Sequence, residues 1–363
     1  MTITAAVTET KGSAFDLREL ELGELRPDEV LVRVAAAGIC HTDLIVRDQW
    51  YPVPLPAVLG HEGAGTVERV GAAVERVRPG DRVAMTFHSC GRCRSCATGR
   101  PSYCLEFFEH NFAASRPEDE SSVLGEIHAH FFGQSSFATH AVANERNVVP
   151  LPASIPFQVA APFGCGVQTG AGGVFNALRP EAGSSIAVFG TGAVGLAAVM
   201  AAAFAGCTTI VGVDRRSQRL ELARELGATD VVNAGEEDAV EALRRLVPGG
   251  VDYTLETTGS PQVLRACVDA LAPTGVCGVI GAPAFGTEVA LDVNTILVGG
   301  RTVRGIVEGD SVPELFLPTL VRLWEQGRFP VDRLITSYDF DRIGEAAADA
   351  EAGRTIKAVL RME

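Results

Sequence analysis

Four cysteines within fifteen residues, Cys90, Cys93, Cys96 and Cys104, form a C-x2-C-x2-C-x7-C run. So short a lobe has little core of its own. Four thiolates closing on one ion would supply the energy that holds it. Gly91 and Gly99 give the run room to wrap. A disulfide frame and a nucleic-acid zinc knuckle are the competing readings. Residues 1–15 show no charged stretch followed by an apolar core, so no secretory leader is expected. Nine cysteines in a cytoplasmic chain suit metal ligands and free thiols better than disulfides. A formal charge of −14 disfavours nucleic acid and anionic membrane surfaces as partners. The run is therefore expected to hold a structural zinc.

Three further donors are scattered, each beside glycine. Cys40 lies in Gly38-Ile39-Cys40-His41-Thr42-Asp43, His61 in Gly60-His61-Glu62-Gly63, and Cys165 in Gly164-Cys165-Gly166. Singly, each could be a buried thiol or a core imidazole. Jointly they match a zinc site with three protein ligands and one open position. Zinc there would lower the pKa of a bound alcohol. Asp43 could accept the free N–H of His61. Glu62 could be a transient ligand, a balancing charge or a solvated turn carboxylate. Cys207, Cys267 and Cys277 lie in apolar runs and are expected in the core.

The chain has 363 residues, of which 47% are apolar, enough for two domains with cores of their own. No stretch has the length and apolarity of a membrane span. Through residue 150, short strand-like runs are cut by Gly and Pro; residues 30–36, 66–70 and 82–85 read as strands. The polar segment 113–122 reads as an exposed mobile loop. From about Pro156 strands alternate with helices. Strands are expected at 185–189, 209–213, 231–232, 253–256 and 276–280, with another near 302–307. Helices are expected at 194–205, 218–226, 238–246 and 262–271. That rhythm implies a parallel, doubly wound sheet. The tail from about Glu308 is expected to return to the first domain.

Phe189-Gly190-Thr191-Gly192-Ala193-Val194-Gly195 follows a strand and opens a helix. A G-x-G-x-x-G pattern alone is weak evidence. Here Asp214 ends the next strand about 20 residues on, which completes the dinucleotide fingerprint. Gly190 permits the turn, Gly192 lets a pyrophosphate approach, and Gly195 lets helix and sheet pack closely. Asp214 would bind ribose hydroxyls and repel a 2′-phosphate, favouring NAD. Arg215 and Arg216 pull the other way, since a neighbouring Arg could hold that phosphate.

From about residue 20 to its end, the chain resembles the zinc-containing medium-chain alcohol dehydrogenases. It is most similar to their aryl-alcohol (benzyl alcohol) branch, with the geraniol-type enzymes close by. The branch resemblance rests on Ile45-Val46-Arg47-Asp48-Gln49, Pro54-Leu55-Pro56, Phe131-Phe132-Gly133-Gln134-Ser135-Ser136-Phe137 and Gly164–Gly170. It implies a GroES-like catalytic domain over 1–165, a Rossmann domain over 166–307 and a return over 308–363, with the active site in the cleft between domains. It also implies catalytic zinc on Cys40, His61 and Cys165, with Thr42 passing on the alcohol proton. His41 and Lys357 would contact the pyrophosphate, Thr169 the nicotinamide, and Arg219 the adenosine ribose. Trp50, Tyr51, Phe131 and Phe132 would line the substrate channel, though core packing is their bland alternative. Ile45 stands where animal relatives carry a relay histidine, so His41 or water must take the proton. The activity implied is hydride transfer between a primary aryl or allylic alcohol and NAD. General aliphatic, polyol and formaldehyde dehydrogenases, and a non-catalytic NAD sensor, are the alternatives. Residues 296–299 resemble the family's dimer strand, implying a homodimer or homotetramer.

Overall fold

The computed structural model describes residues 1–362. The chain forms two compact units. The first takes Met1–Cys165, Val312–Gln326 and the chain from Val331 onward. The second takes Gly166–Ser311 and Gly327–Pro330. Glu308–Ser311, assigned above to the returning tail, thus cluster with the second unit. Gly309 explains this: it packs so closely on Gly172 and the Gln168 carbonyl that any Cβ there would collide.

The first unit is β-rich. Its seven-stranded sheet is organised around Glu29–Gly38, nearly every residue of which is buried. That strand pairs with Glu62–Val70 on one side. On the other it pairs with His140–Asn144 at its start and Lys357–Arg361 at its end. A three-stranded sheet of Thr2–Thr8, Phe15–Glu21 and Ala57–Val58 packs into the same core, which centres on Leu31, Leu59, Met85, Phe131 and Phe137. Register positions the chemistry. Gly38 opposes Glu62, so Cys40 and His61 emerge at one end of the sheet. Val359 also opposes Gly38, which brings Lys357 to that end. The segment 113–122 is anchored, contrary to its expected mobility. Arg116 donates to both Glu29 carboxylate oxygens at 2.7 Å, and Ala114 and Ser115 are buried.

The second unit carries six parallel strands in the order Asp230–Asn233, Thr209–Asp214, Ser185–Phe189, Val251–Glu256, Leu271–Val279, Thr302–Gly305. Ser185–Phe189 is buried throughout, as a central parallel strand requires. Strand order reverses between it and Val251–Glu256, the topological switch point where such sheets bind ligands. Helices Ala193–Ala205, Ser217–Glu225, Ala239–Leu246 and Pro261–Asp269 connect the strands. The last stops short of Leu271, which begins the next strand, since Pro273 cannot continue a helix. Residues 296–299 are helical, not a strand: Asp292 caps helix Val293–Gly299 by accepting from Asn294 N and Thr295 N. The edge strand is Thr302–Gly305. No helix among the described residues is long and apolar enough to cross a membrane.

Candidate metal centres and nucleotide loop

Helix His41–Arg47 starts from Cys40, whose backbone is extended. Asp43 closes a capping box: its Oδ2 accepts the Cys40 N–H at 2.9 Å. Its Oδ1 accepts the Gly60 N–H at 3.1 Å and lies 2.8 Å from His61 Nδ1. One fully buried carboxylate thus ties both ligand loops together. With Nδ1 donating to Asp43, the lone pair of the neutral ring falls on Nε2. His61 Nε2 is buried and makes no hydrogen bond. Donor atoms of Cys40, His61, Glu62 and Cys165 all lie within 4.8 Å of one another. Cys165 follows the tight turn Ala161–Gly164, and Thr86 Oγ1 pins that turn by donating to the Gly164 carbonyl at 2.7 Å.

The electrostatics suit a cation. A hydrogen bond from Cys165 holds the Cys40 thiol well below its usual pKa, against burial and with help from Lys357. Burial opposes charge on His61, yet Asp43 and Cys40 outweigh it and raise its pKa. Burial raises the pKa of Glu62, and Lys357 opposes that rise. The Lys357 side chain is 4% exposed and donates to both Glu62 oxygens at 2.9 Å and to the Ile39 carbonyl at 3.3 Å. Glu62, fully buried, is no solvated turn residue. Two thiolates and Glu62 are balanced by Lys357 plus one divalent cation, so the residues fit zinc.

Cys90, Cys93, Cys96 and Cys104 also gather within 4.8 Å. Backbone N–H groups of Cys90 and Glu106 donate to the Cys104 sulfur, that of Cys93 to Cys90, and that of Leu105 to Cys93. Backbone N–H groups of Cys96 and Leu105 bring the Cys93 pKa down to about 6, whereas burial pushes that of Cys104 up to about 12 and raises that of Cys96. The set is closed, with four sulfurs for a tetrahedral ion.

In the second unit Gly190 has φ of 90°, and a Cβ there would lie 2.6 Å from Thr257 Oγ1. A Cβ on Gly195 would strike the Gly190 carbonyl oxygen. Nothing but Arg219, at 3.8 Å, stands near a Cβ on Gly192. Helix Ala193–Ala205 has no side-chain cap, so the N–H groups of Ala193, Val194 and Gly195 are unspent by any cap. That open cradle fits a pyrophosphate. Asp214 is partly spent. Its Oδ2 accepts from Thr191 N at 2.7 Å and Thr191 Oγ1 at 3.0 Å, and its Oδ1 from Arg215 N at 2.7 Å. Arg219 is half-buried with Nε unpartnered, and burial lowers its pKa. Thr169 is buried, and its hydroxyl lies 3.3 Å from Glu308. Arg215 is exposed.

The other expected site residues divide. Thr42 Oγ1 lies 3.8 Å from the Cys40 sulfur, His41 is exposed and Ile45 is buried. Phe132 sits 4.5 Å from the His61 ring and Phe131 5.6 Å, both buried in the core. Tyr51 stacks on Phe112 at 5.8 Å, and Phe112 reaches Phe132 at 5.2 Å. Trp50 is 51% exposed. Sequence reasoning passed over Phe112, although Phe107-Phe108 with Phe112 just after the last zinc-lobe cysteine was a visible signal.

A doubly wound sheet with a glycine cradle, and a β-rich unit with one closed and one open metal cluster, define a zinc-binding dehydrogenase. Residues 26–153 match the alcohol dehydrogenase GroES-like domain, and residues 193–324 match the zinc-binding dehydrogenase domain. The chain belongs to the zinc-binding medium-chain alcohol dehydrogenase family and is an enzyme of alcohol oxidoreduction. It is 42% identical over 361 residues to a geraniol dehydrogenase of Castellaniella defragrans, covering 98% of this chain and 96% of the relative. It is similar to the crystal structure of benzyl alcohol dehydrogenase from Acinetobacter calcoaceticus, with TM-score 0.98, 48% identity and full coverage of both chains. A zinc-binding alcohol dehydrogenase domain protein from Burkholderia ambifaria gives TM-score 0.97 and 52% identity, over 100% of this chain and 99% of that one.

Proposed function

We propose that this enzyme oxidises primary aryl or allylic alcohols to aldehydes with NAD. The carrying observation is the unpartnered His61 Nε2 grouped with two cysteine sulfurs and flanked by Phe131 and Phe132. Zinc on Cys40, His61 and Cys165 supplies Lewis-acid polarisation of the alcohol oxygen, and the nicotinamide supplies the hydride acceptor. Asp43 keeps His61 in the ligating tautomer. Thr42, beside Cys40, receives the alcohol proton. Ile45 offers no base, so the proton leaves through exposed His41 or water. The aromatic cluster suits a flat substrate group. The names of a geraniol and a benzyl alcohol dehydrogenase among its relatives support both the allylic and the aryl class.

Asp214 supports NAD over NADP, and cysteines read as metal ligands and core thiols rather than disulfides support a cytoplasmic location. A homodimer, or a homotetramer of two dimers, is proposed on exposed Leu297 and Val298 beside the open edge strand Thr302–Gly305. Val298→Asp should lower the mass measured by sedimentation. An unchanged mass would remove that interface.

The function is tested by NADH absorbance with benzyl alcohol, geraniol, ethanol, sorbitol, and formaldehyde plus glutathione, before and after chelation. Benzyl alcohol and geraniol should lead, and chelation should abolish turnover. Equal kcat/KM for ethanol would end the aryl or allylic assignment.

A further inference from the structure

Gln134 is 1% exposed and lies outside every ligand set described above. Its amide is fully engaged around the open metal cluster. Oε1 accepts the Gly63 N–H at 3.0 Å. Nε2 donates to the His61 carbonyl at 3.0 Å and to the Thr86 carbonyl at 3.2 Å. The two bonds to the His61–Gly63 segment flank Glu62, so the amide grips the backbone on both sides of that residue. Thr86 in turn donates its hydroxyl to Gly164, the neighbour of Cys165. One amide is therefore linked to two of the three ligand segments, directly to His61 and through Thr86 to Cys165. The local sequence makes room for it. A Cβ on Gly63 would crowd Met85, Ser136 and Gln134 itself. The segment carrying Gln134 is also the one whose Phe131 and Phe132 flank the His61 ring.

A buried amide could merely satisfy backbone groups. Two features go further. All three partners lie on or next to segments that deliver metal donors. The bonds also reach the His61 main chain, whereas Asp43 holds its side chain. Side chain and main chain of His61 are thus held independently. We infer that Gln134 is a positioning residue for the open metal site, setting the spacing of the His61 and Cys165 donors. It acts through the backbone and touches neither substrate nor cofactor. The inference rests on the open cluster holding a metal.

Gln134→Met keeps the length and removes all three bonds. Thr86→Val removes only the branch to Gly164. Wild-type protein should bind two zinc ions per chain. Both variants should release one of them faster to a competing chelator. Loss of a group supporting metal ligands typically costs about 10–100-fold in metal affinity, and Gln134→Met should show the larger effect. The cobalt-substituted open site should change its visible spectrum in both variants, while the four-thiolate site keeps its own. A purely structural amide would lower the melting temperature and leave release rate and spectrum unchanged, and that result overturns the inference. If Gln134→Met does not fold, Thr86→Val decides alone. One zinc per chain in the wild type would instead refute the metal reading itself.

Discussion

The two units hold their chemistry in opposite ways. All seven histidines and six of the nine cysteines lie in the first unit. The second has no histidine, and its three cysteines are buried. In the first, function resides in side chains, some drawn from segments as distant as those of Cys40 and Cys165, and held by buried polar bonds. In the second, it resides in the main chain of one turn, where the important side chains are missing ones. The first unit should therefore fail through ligands and protons. The second should fail through added atoms.

The sharpest way to break this contrast is His61→Ala. Losing the imidazole should remove Lewis-acid help worth several kcal/mol, so kcat/KM for benzyl alcohol should fall about 10³-fold or more. NADH binding, followed by fluorescence, should persist. Loss of both would show that the chemistry is not divided this way. Next, Gly195→Ala puts a methyl against the Gly190 carbonyl. Overpacking of this kind costs about 1–3 kcal/mol. The second unit should melt earlier and NADH should bind more weakly, with zinc content unchanged. A loss of zinc would blur the division.

The smallest effect is acid sensitivity. Burial lowers the pKa of His88 and His110, and brings His130 down to about 3. The unfolded chain takes these protons near pH 6.5, while the folded one refuses them. Their stabilisation is complete above about pH 6.5 and is lost as pH falls toward the folded values. From pH 7 to 6 a histidine held as low as His130 should cost roughly 0.7 kcal/mol. Hydrogen exchange, corrected for intrinsic rates, should speed up in the first unit and not in the second. Equal acceleration in both would contradict the histidine account.

Legibility in the sequence followed the same division. The glycine turn, its strand, its helix and Asp214 were local, so spacing was enough to find them. The four-cysteine lobe was local too. Cys40, His61 and Cys165 were visible as residue types, but only the pairing of Gly38 with Glu62 and the Thr86 bond to Gly164 explain their meeting. The ion pair of Lys357 was hidden for the same reason. Its partner lies 295 positions away, and no local pattern reports a buried ion pair. Residues 296–299 were likened to a strand by resemblance, and an apolar run does not itself distinguish strand from helix. The Asp292 cap decided for helix.

The burial of Lys357 under Glu62 has a consequence for refolding. The lysine is carried by strand Lys357–Arg361, which joins the central strand at Gly38. Until that strand docks, the sulfurs and the glutamate lack their fixed positive partner, and the half-site carries surplus negative charge.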